Sequence, residues 1–313
     1  MNVALTPTIM ISLIIPVYNE KMVLPELTSR VRQVMDSIDK AFEVIIVDDG
    51  STDGTMTELK AVHDRDNRFK ILSLSRNFGH QAAYTAGLNY AKGDFVAMMD
   101  GDLQDPPELI AEMFEKLRSE NLDIVYGKRI SRNEKGIRKA LIKLFHLVFR
   151  KMSNLQHIKE VGNFSIMSRK ALTVFLSLTE RNRYLPGLRA FIGFEQGYVE
   201  YSRAARGEGE AKMSMGNLFS LAMDAFFSFS DLPVKICLYS GLVGVILIIL
   251  AIIYIIIGKI TGLAPLGWSS TILSIYFIGS VQLLSIGILG EYVYRIYKET
   301  KDRPIFIVNT FIE

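Results

Sequence analysis

The chain has 313 residues and carries 36 Lys and Arg against 33 Asp and Glu, so its formal net charge is only +3. With 49% hydrophobic residues it is too apolar for a disordered chain, and its length is about twice that of a typical domain. The single cysteine, Cys237, excludes an intramolecular disulfide framework and a zinc site made of several thiolates.

The first 130 residues alternate between short apolar runs and helical patterns. Four runs have the length and composition of buried strands: 12–17, 43–48, 70–74 and 94–99. Helical patterns follow them near 22–39, 54–66, 80–91 and 107–120. Buried strands joined by helices predict a doubly wound, mostly parallel α/β sheet. Ligands of such sheets bind beyond the carboxyl ends of the strands.

Polar residues are concentrated where the first two predicted strands end. The first ends in Pro16-Val-Tyr-Asn-Glu20 and the second in Asp48-Asp-Gly-Ser-Thr-Asp-Gly-Thr55. A loop followed by a helix cap would use the same residue types. Two adjacent carboxylates exceed the need of a cap, because they repel each other unless the donors of a ligand separate them. We therefore expect Asp48 and Asp49 to accept hydrogen bonds from a nucleobase N–H and from ribose hydroxyls.

The fourth predicted strand ends in an acidic segment, Asp100-Gly-Asp-Leu-Gln-Asp-Pro-Pro-Glu108. Asp100 and Asp102 enclose a glycine, which allows a close backbone approach, and Gln104 adds a carbonyl oxygen. A generic acidic turn is the alternative, since Asp-X-Asp triplets are common by chance. Oxygen ligands at a strand end favour a hard divalent cation, so the segment predicts Mg2+ or Mn2+ as cofactor.

A basic strip follows. Residues 128–151 contain nine Lys and Arg and one acid, Glu134, which indicates an anionic partner. Within it, 136–151 has the pattern of an interfacial amphipathic helix, and 215–231 predicts a second one. Nucleic acid is the rival partner, but apolar and aromatic residues on the same helix favour a membrane surface.

Two long uncharged runs, 236–258 and 268–290, predict a transmembrane hairpin with helices at about 234–258 and 267–290. A pair of buried core helices is the alternative. Cations flank the outer ends of the pair, so the catalytic domain (1–230), the tail (291–313) and both termini are expected in the cytoplasm. No signal peptide is expected in the first ten residues. Glycines along both runs would allow close helix packing, and we expect a homo-oligomer.

The segments SLIIPVYNE, EVIIVDDGSTDGT and MMDGDLQDPPE, together with the two spans, resemble the family 2 glycosyltransferases of GT-A fold. More narrowly, they resemble the polyprenyl-phosphate glycosyltransferases. The resemblance covers nearly the whole chain in the expected order. It implies inverting transfer of a hexose, first of all glucose from UDP-glucose, to undecaprenyl or another polyprenyl phosphate at the cytoplasmic face of the inner membrane.

The resemblance also assigns roles to residues. The donor nucleotide would be bound by Pro16, Tyr18, Asn19, Glu20, Asp48, Asp49, Ser51, Asp100 and Gly101. Asp102 and Gln104 would hold the metal, and Asp100, Asp102 and Asn163 would be catalytic. The acceptor phosphate would be bound by Arg129, Arg132, Arg138, Arg203, Arg206 and Lys212. The last three lie in a segment that is similar to an Arg-x-x-Gly-x-Ser-Lys pattern of the family, with Ala211 in place of the serine.

One departure from the family pattern affects the mechanism. The segment that often reads Gly-Asp-Phe-Arg-Leu-Met is Gly162-Asn-Phe-Ser-Ile-Met167 here, so Asn163 replaces a carboxylate sometimes proposed as a base. A phosphate monoester has a second pKa of about 6, so it is largely anionic at neutral pH and needs no strong base. We expect Asn163 to orient the phosphate. Three arginines are expected in a mobile loop over the site: Arg181, Arg183 and Arg189.

Other functions remain open at this point. The sugar could be mannose from GDP-mannose, or an aminosugar. Processive polysaccharide synthases share a Gln-x-x-Arg-Trp segment, and the only tryptophan here, Trp268, lies in the second predicted span. A non-catalytic membrane module that binds nucleotide sugars is disfavoured because Asp102 and Gln104 are both present.

Overall fold

The computed structural model describes residues 9–38, 41–129, 161–181, 183–202 and 267–313, together with scattered positions between 239 and 260. The chain divides into two compact units. One contains an eight-stranded sheet and its helices, including the residues from Arg303 onward. The other contains a long helix that precedes Arg303 in the chain.

Four parallel strands form one half of the sheet: β1 (Met10–Val17), β2 (Ala41–Asp48), β3 (Phe69–Leu74) and β4 (Phe95–Met98). β1 lies between β2 and β4, and β3 pairs with the other side of β2. Side chains on both faces are buried, as Leu13 and Ile14 of β1 illustrate. Each of the four apolar runs forms a strand, so the prediction of a doubly wound, mostly parallel sheet is confirmed.

The other half is mixed in direction and contains β5 (Ile124–Arg129), β6 (Val161–Ser168) and β7 (Gln196–Tyr201). β6 runs antiparallel to both β4 and β5, and β7 runs parallel to β5. Ser165 pairs with Met98, so β6 begins at the edge of the sheet where β4 ends. Arg129 and Tyr201, the last residues of β5 and β7, reach the same edge. The register therefore places the ends of β1 to β5 and β7 and the start of β6 at one edge of the sheet, which we call the functional edge.

Six helices accompany these strands: α1 (Leu24–Ser37), α2 (Thr55–Arg65), α3 (His80–Tyr90), α4 (Leu109–Ser119), α5 (Arg169–Ser177) and α6 (Leu185–Phe191). α1 carries a proline in its first turn, where a missing N–H costs no intrahelical bond. α3 contacts β1 and β2 and is buried from Ala82 to Leu88, with small side chains that permit close packing. Its first residue, His80, lies at the functional edge.

Helix α7 (Trp268–Thr300) matches the start of the second predicted span and continues past residue 290. Within it, Ser274–Thr300 is the one segment of the described residues that is long and apolar enough to cross a membrane. Within the first predicted span, 234–258, the structure describes only scattered positions, and those are helical. The transmembrane hairpin as a whole therefore stays a prediction.

After α7 the chain adds a strand that the sequence did not predict. β8 (Val308–Ile312) pairs antiparallel with β3 and forms the edge of the sheet. The ring of Phe311 packs edge-on against Tyr90 at 4.8 Å, and the Glu313 carboxylate lies 2.7 Å from Lys92 Nζ. Residues 291–313, expected as a tail, thus comprise the end of a helix and a strand of the catalytic sheet.

Candidate active site

The loops that follow β1 and β2 are hydrogen-bonded to each other. The backbone N–H of Asn19 donates to Ser51 Oγ at 2.9 Å, and Asn19 Oδ1 accepts from the N–H of Thr52 at 2.8 Å. The N–H of Glu20 donates to Thr55 Oγ1 at 3.1 Å. Two predicted donor-binding residues, Asn19 and Ser51, therefore shape this pair of loops, and Tyr18 beside them is 40% exposed.

The two adjacent carboxylates at the end of β2 are buried and bind the chain itself. Asp49 accepts the backbone N–H groups of Phe78 and Gly79 at 2.7 and 2.9 Å. Asp48 accepts the N–H of Ser51 at 3.1 Å. Burial raises the pKa of Asp49, although the two N–H donors act in the opposite direction. Backbone N–H donors thus offset part of the repulsion between the two carboxylates, which the sequence had suggested a ligand would offset.

A third loop, 75–79 after β3, completes this group. Gly50 has a φ of +74°, and a Cβ on it would lie 2.5 Å from the backbone carbon of Arg76. Only glycine allows the two loops to approach so closely. The Arg76 guanidinium lies 4.0 Å from the centre of the Phe78 ring, and Arg76 is exposed. None of the predicted site residues lies in this loop.

The acidic segment after β4 is held by α3 on one side and by β1 on the other. Asp100 Oδ1 accepts the Tyr84 hydroxyl at 2.7 Å and lies 3.0 Å from His80 Nε2. A Cβ on Gly101 would lie 2.9 Å from the carbonyl oxygen of Pro16. The predicted close approach at this glycine is therefore an approach of the chain to its own first strand.

Tyr84 is a residue of this site that sequence reasoning missed. It is fully buried, and burial raises its pKa well above the usual value, with the Asp100 charge adding to the effect. Its hydroxyl therefore stays protonated and donates to Asp100. Its spacing in the sequence could have indicated this role, because Tyr84 lies one helical turn after His80. In the structure the two rings contact each other edge to face at 4.8 Å.

As ligands for a cation, the acidic segment offers only oxygen atoms, and oxygen ligands suit Mg2+ or Mn2+. Asp102 Oδ1 accepts the N–H of Gln104 at 3.1 Å, and Gln104 is 8% exposed. Among the described residues, no three His, Cys, Asp or Glu side chains group as a metal cage. Mg2+ is commonly held by one or two carboxylates, with phosphate oxygens completing its shell. The residues fit a cation that the protein shares with a diphosphate.

Arg129 is the predicted acceptor-binding residue that the structure places at the functional edge. Its Nε donates to the Tyr201 hydroxyl at 3.0 Å, and that hydroxyl donates to Asp105 Oδ1 at 2.5 Å. Burial disfavours the guanidinium charge, but Asp105 and Tyr201 outweigh it and raise the pKa of Arg129. Burial, with Asp105 adding to it, raises the pKa of Tyr201. Asp105, which is 0% exposed, and Tyr201 were not predicted.

The other predicted acceptor contacts lie outside the described residues: Arg132, Arg138, Arg203, Arg206 and Lys212. The same holds for both predicted interfacial helices, at 136–151 and 215–231. These assignments stay predictions.

Asn163 lies near the start of β6, at the functional edge. Since Met98 pairs with Ser165, β6 reaches Asn163 on the side toward which the chain after β4 reaches Asp100. The Oδ1 atom of Asn163 is buried and has no hydrogen-bond partner within the described parts of the chain. The site thus brings together Asp100, Asp102, Arg129 and Asn163.

The prediction of a mobile arginine loop over the site was wrong for two of its three members. Arg183 and Arg189 are buried, and the guanidinium of each donates hydrogen bonds to backbone carbonyl groups. Arg189 is part of α6. A basic run of sequence does not distinguish a solvated loop from arginines that tie segments together.

Comparison with known proteins gives a consistent result. The profile described as Glycosyl transferase family 2 matches residues 12–175. An uncharacterized glycosyltransferase of Synechocystis is 39% identical over 96% of this chain and 95% of its own length. A prophage bactoprenol glucosyl transferase homolog of Escherichia coli is 36% identical over 95% of this chain and 98% of its own. The bactoprenol glucosyl transferase of Shigella phage SfII is 36% identical over 95% and 97%.

Among solved structures, the chain is similar to glucosyl-3-phosphoglycerate synthase from Mycobacterium tuberculosis. The TM-score is 0.49 and the identity 18%, over 71% of this chain and 80% of the other.

Proposed function

This chain belongs to glycosyl transferase family 2, and from that premise we propose that it transfers glucose from UDP-glucose to a polyprenyl phosphate. It is a glycosyltransferase, and one observation carries the choice of acceptor. The match to bactoprenol glucosyl transferases spans 95% of the chain, so it extends beyond the sheet into the apolar helix α7. An apolar helix of this length would hold the enzyme at a membrane, where a lipid acceptor is presented.

The donor nucleotide binds at the three connected loops after β1, β2 and β3. Asp48 and Asp49 hold these loops in shape through backbone N–H groups, and Tyr18 and the Arg76–Phe78 pair offer aromatic and cationic surface beside them. Preorganised loops bind a ligand with less loss of conformational entropy. The diphosphate then extends toward Asp100, Gly101 and Asp102.

Asp102 and Gln104 would hold Mg2+ or Mn2+ on the diphosphate of the donor. When bound, the cation would stabilise the negative charge that develops on the departing nucleoside diphosphate. Asp100 contributes through its fixed orientation, because Tyr84 and His80 both hold the same carboxylate oxygen. Preorganised charge of this kind is a large contribution to catalysis.

The chemical step is an in-line displacement. An oxygen of the lipid phosphate attacks the anomeric carbon and forms the new C–O bond, and the bond from that carbon to the diphosphate oxygen breaks. The nucleoside diphosphate leaves with the electron pair, and the anomeric configuration inverts. The phosphate is already anionic at neutral pH, so Asn163 has only to orient it.

The acceptor phosphate meets Arg129, whose guanidinium is held by Tyr201 and Asp105 at the edge where Asn163 lies. Arginine bound in a fixed orientation suits recognition of phosphate oxygens. The basic strip beyond β5 and the predicted interfacial helices would lie on the anionic leaflet that presents the lipid.

The connectivity of the sheet supports the proposal of a hairpin of two membrane helices. β7 and β8 belong to the same sheet, so residues 201 and 308 lie on the same side of any membrane. The chain between them must then cross an even number of times. If α7 crosses, a second crossing precedes it, and the uncharged run at 236–258 is the segment suited to this. We further propose that the sheet is cytoplasmic and that the chain forms homo-oligomers through these spans.

The direct test is a panel of labelled nucleotide sugars. Membranes that contain the protein are incubated with undecaprenyl phosphate and, in turn, UDP-glucose, UDP-N-acetylglucosamine and GDP-mannose, and the lipid is then extracted. We expect label in the lipid fraction from UDP-glucose, and none with membranes that carry the Asp102→Ala variant. Label from another donor instead would mean that the enzyme transfers the sugar of that donor and not glucose. Absence of lipid label with every donor would overturn the acceptor.

A further inference from the structure

Arg189 is a cation in the interior of the domain. It lies on α6, is 0% exposed and is the largest fully buried side chain of the described residues. Arginine is almost never buried to this extent unless it is paired, because removing a guanidinium from water is costly.

The partners of this guanidinium are neutral and belong mainly to one strand. It donates to the carbonyl oxygens of Gly162 and Asn163 at 2.5 and 2.8 Å, and to the hydroxyl of Ser165. Among the described residues no carboxylate forms an ion pair with it, and burial lowers the pKa of Arg189. Three contacts within four residues, 162–165, therefore fix the first part of β6, which includes Asn163.

The charge of Asp100 acts on Arg189, as do three tyrosines: Tyr126, Tyr84 and Tyr184. The Tyr126 ring centre lies 5.2 Å from the guanidinium carbon. Tyr84 is also the hydroxyl that holds Asp100. One buried cation is thus connected to the start of β6 by hydrogen bonds and to the acidic segment by charge. A purely structural tie between α6 and β6 would not require a charge at this place, since a neutral donor binds a carbonyl at a lower desolvation cost.

We propose that Arg189 is a positioning residue for glycosyl transfer, which fixes Asn163 and the start of β6 in register with Asp100. The inference rests on the proposed function, because Asn163 is taken to orient the acceptor phosphate. Displacement of a reacting group by about 1 Å can lower a rate about 100-fold. The loss of Arg189 should therefore appear in kcat far more than in donor binding.

The chain supplies a matched control in Arg183. It is also a buried arginine, its Nη2 donates to the carbonyl oxygens of Phe175 and Leu178, and burial lowers its pKa as well. Its contacts lie in the last turn of α5 and just after it, and the acid that acts on it is Glu180 rather than Asp100. A structural role alone would make the two arginines equivalent.

The test compares Arg189→Met and Arg183→Met in the full chain, purified in lipid nanodiscs. Thermal unfolding gives the folded fraction, and kcat and KM are measured for donor and lipid. We expect both variants to lose stability, whereas kcat per folded enzyme falls about 100-fold only in Arg189→Met, with the donor KM within about twofold of wild type. Equal kcat losses in the two variants, or none in either, would overturn the proposal.

A double-mutant cycle separates positioning from general damage. If Arg189 acts through Asn163, adding Asn163→Ala to Arg189→Met should lower kcat by less than about threefold more, whereas Asn163→Ala and Arg183→Met should be additive. Additive effects of Arg189→Met and Asn163→Ala would contradict the proposal. Should Arg189→Met not fold, Ser165→Ala removes one contact and keeps the charge. It should lower kcat several-fold with an unchanged donor KM, and an unchanged kcat would overturn the inference.

The outcomes distinguish this inference from the proposed function. If wild type gives no lipid-linked sugar with any donor, both fail. If wild type is active and Arg189→Met is equally active per folded enzyme, only the role of Arg189 fails.

Discussion

At the functional edge, the parallel half of the sheet carries buried acids, whereas the mixed half carries arginines. In the parallel half, the acids Asp48 and Asp49 are buried and bound by backbone N–H groups. In the mixed half, Arg129 and Arg189 are bound by a buried carboxylate, a tyrosine and backbone carbonyls. The edge therefore offers carboxylate oxygens where a cation and a nucleotide are proposed to bind, and the Arg129 guanidinium where an anionic acceptor is proposed. Backbone N–H groups hold the acids, and Tyr201 and Asp105 hold Arg129, so a ligand meets side chains that are already in place.

The largest expected effect concerns the parallel half. Asp102→Ala removes a proposed metal ligand and one hydrogen bond from the Gln104 N–H but no apolar side chain, so transfer should fall at least about 100-fold while the melting temperature stays within a few degrees. Radiolabelled lipid product and thermal unfolding measure the two quantities. Full turnover in this variant, or in excess chelator, would contradict a metal-dependent reaction.

Gly50→Ala tests whether the three donor loops act as one. The Cβ would meet the Arg76 backbone in a left-handed conformation, so the free energy of unfolding should fall by about 2 kcal/mol and affinity for UDP should weaken. Urea unfolding and calorimetric titration with UDP measure this. Gly193→Ala serves as the control, because Gly193 also has a positive φ but only a carbonyl at 3.8 Å nearby. Unaltered UDP affinity in Gly50→Ala would separate the loops from the nucleotide.

Arg129→Gln should affect the mixed half alone. Removing a charge-assisted contact to phosphate should raise KM for the lipid about tenfold and leave KM for the nucleotide sugar unchanged. Lys128→Gln on the neighbouring position, where the amine pairs with Glu200 on the surface, is the control and should change neither. A rise in donor KM would move Arg129 to the other half of the site.

Tyr201→Phe should give the smallest effect and a characteristic pH dependence. Its pKa is raised in the folded protein, so the stabilisation by the hydroxyl is fully present below pH 10 and is lost as the pH rises above 10, where the unfolded chain ionises first. At pH 8 the variant should be less stable by about 1 kcal/mol, and the difference from wild type should shrink by pH 11. Denaturant unfolding at both pH values provides the measurement. A constant difference would mean that the hydroxyl does not titrate with folding.

The parallel half could be predicted because its signals are local. Apolar runs such as 12–17 and 43–48 mark strands buried on both faces, and the polar residues follow them immediately in the chain. Asp49 shows the limit of such reasoning: its partners, Phe78 and Gly79, lie about thirty residues away, so the same carboxylate looked as if it awaited a ligand.

The mixed half was largely hidden because its contacts join distant segments. Asp105 and Tyr201 are 96 residues apart, and Arg189 reaches back to β6 from a helix that the sequence suggested was a mobile loop. β8 was missed for a similar reason. Its five residues, VNTFI, carry no strong alternation, and they form a strand because β3 offers an open edge.

The position of β8 also orders events during synthesis. β3 emerges from the ribosome early, but its outer partner is translated only after α7, so the backbone groups on that edge of β3 lack their strand partner until the apolar helix has been made. An open strand edge invites pairing with other chains. The last strand thus completes a sheet whose other strands were made long before it.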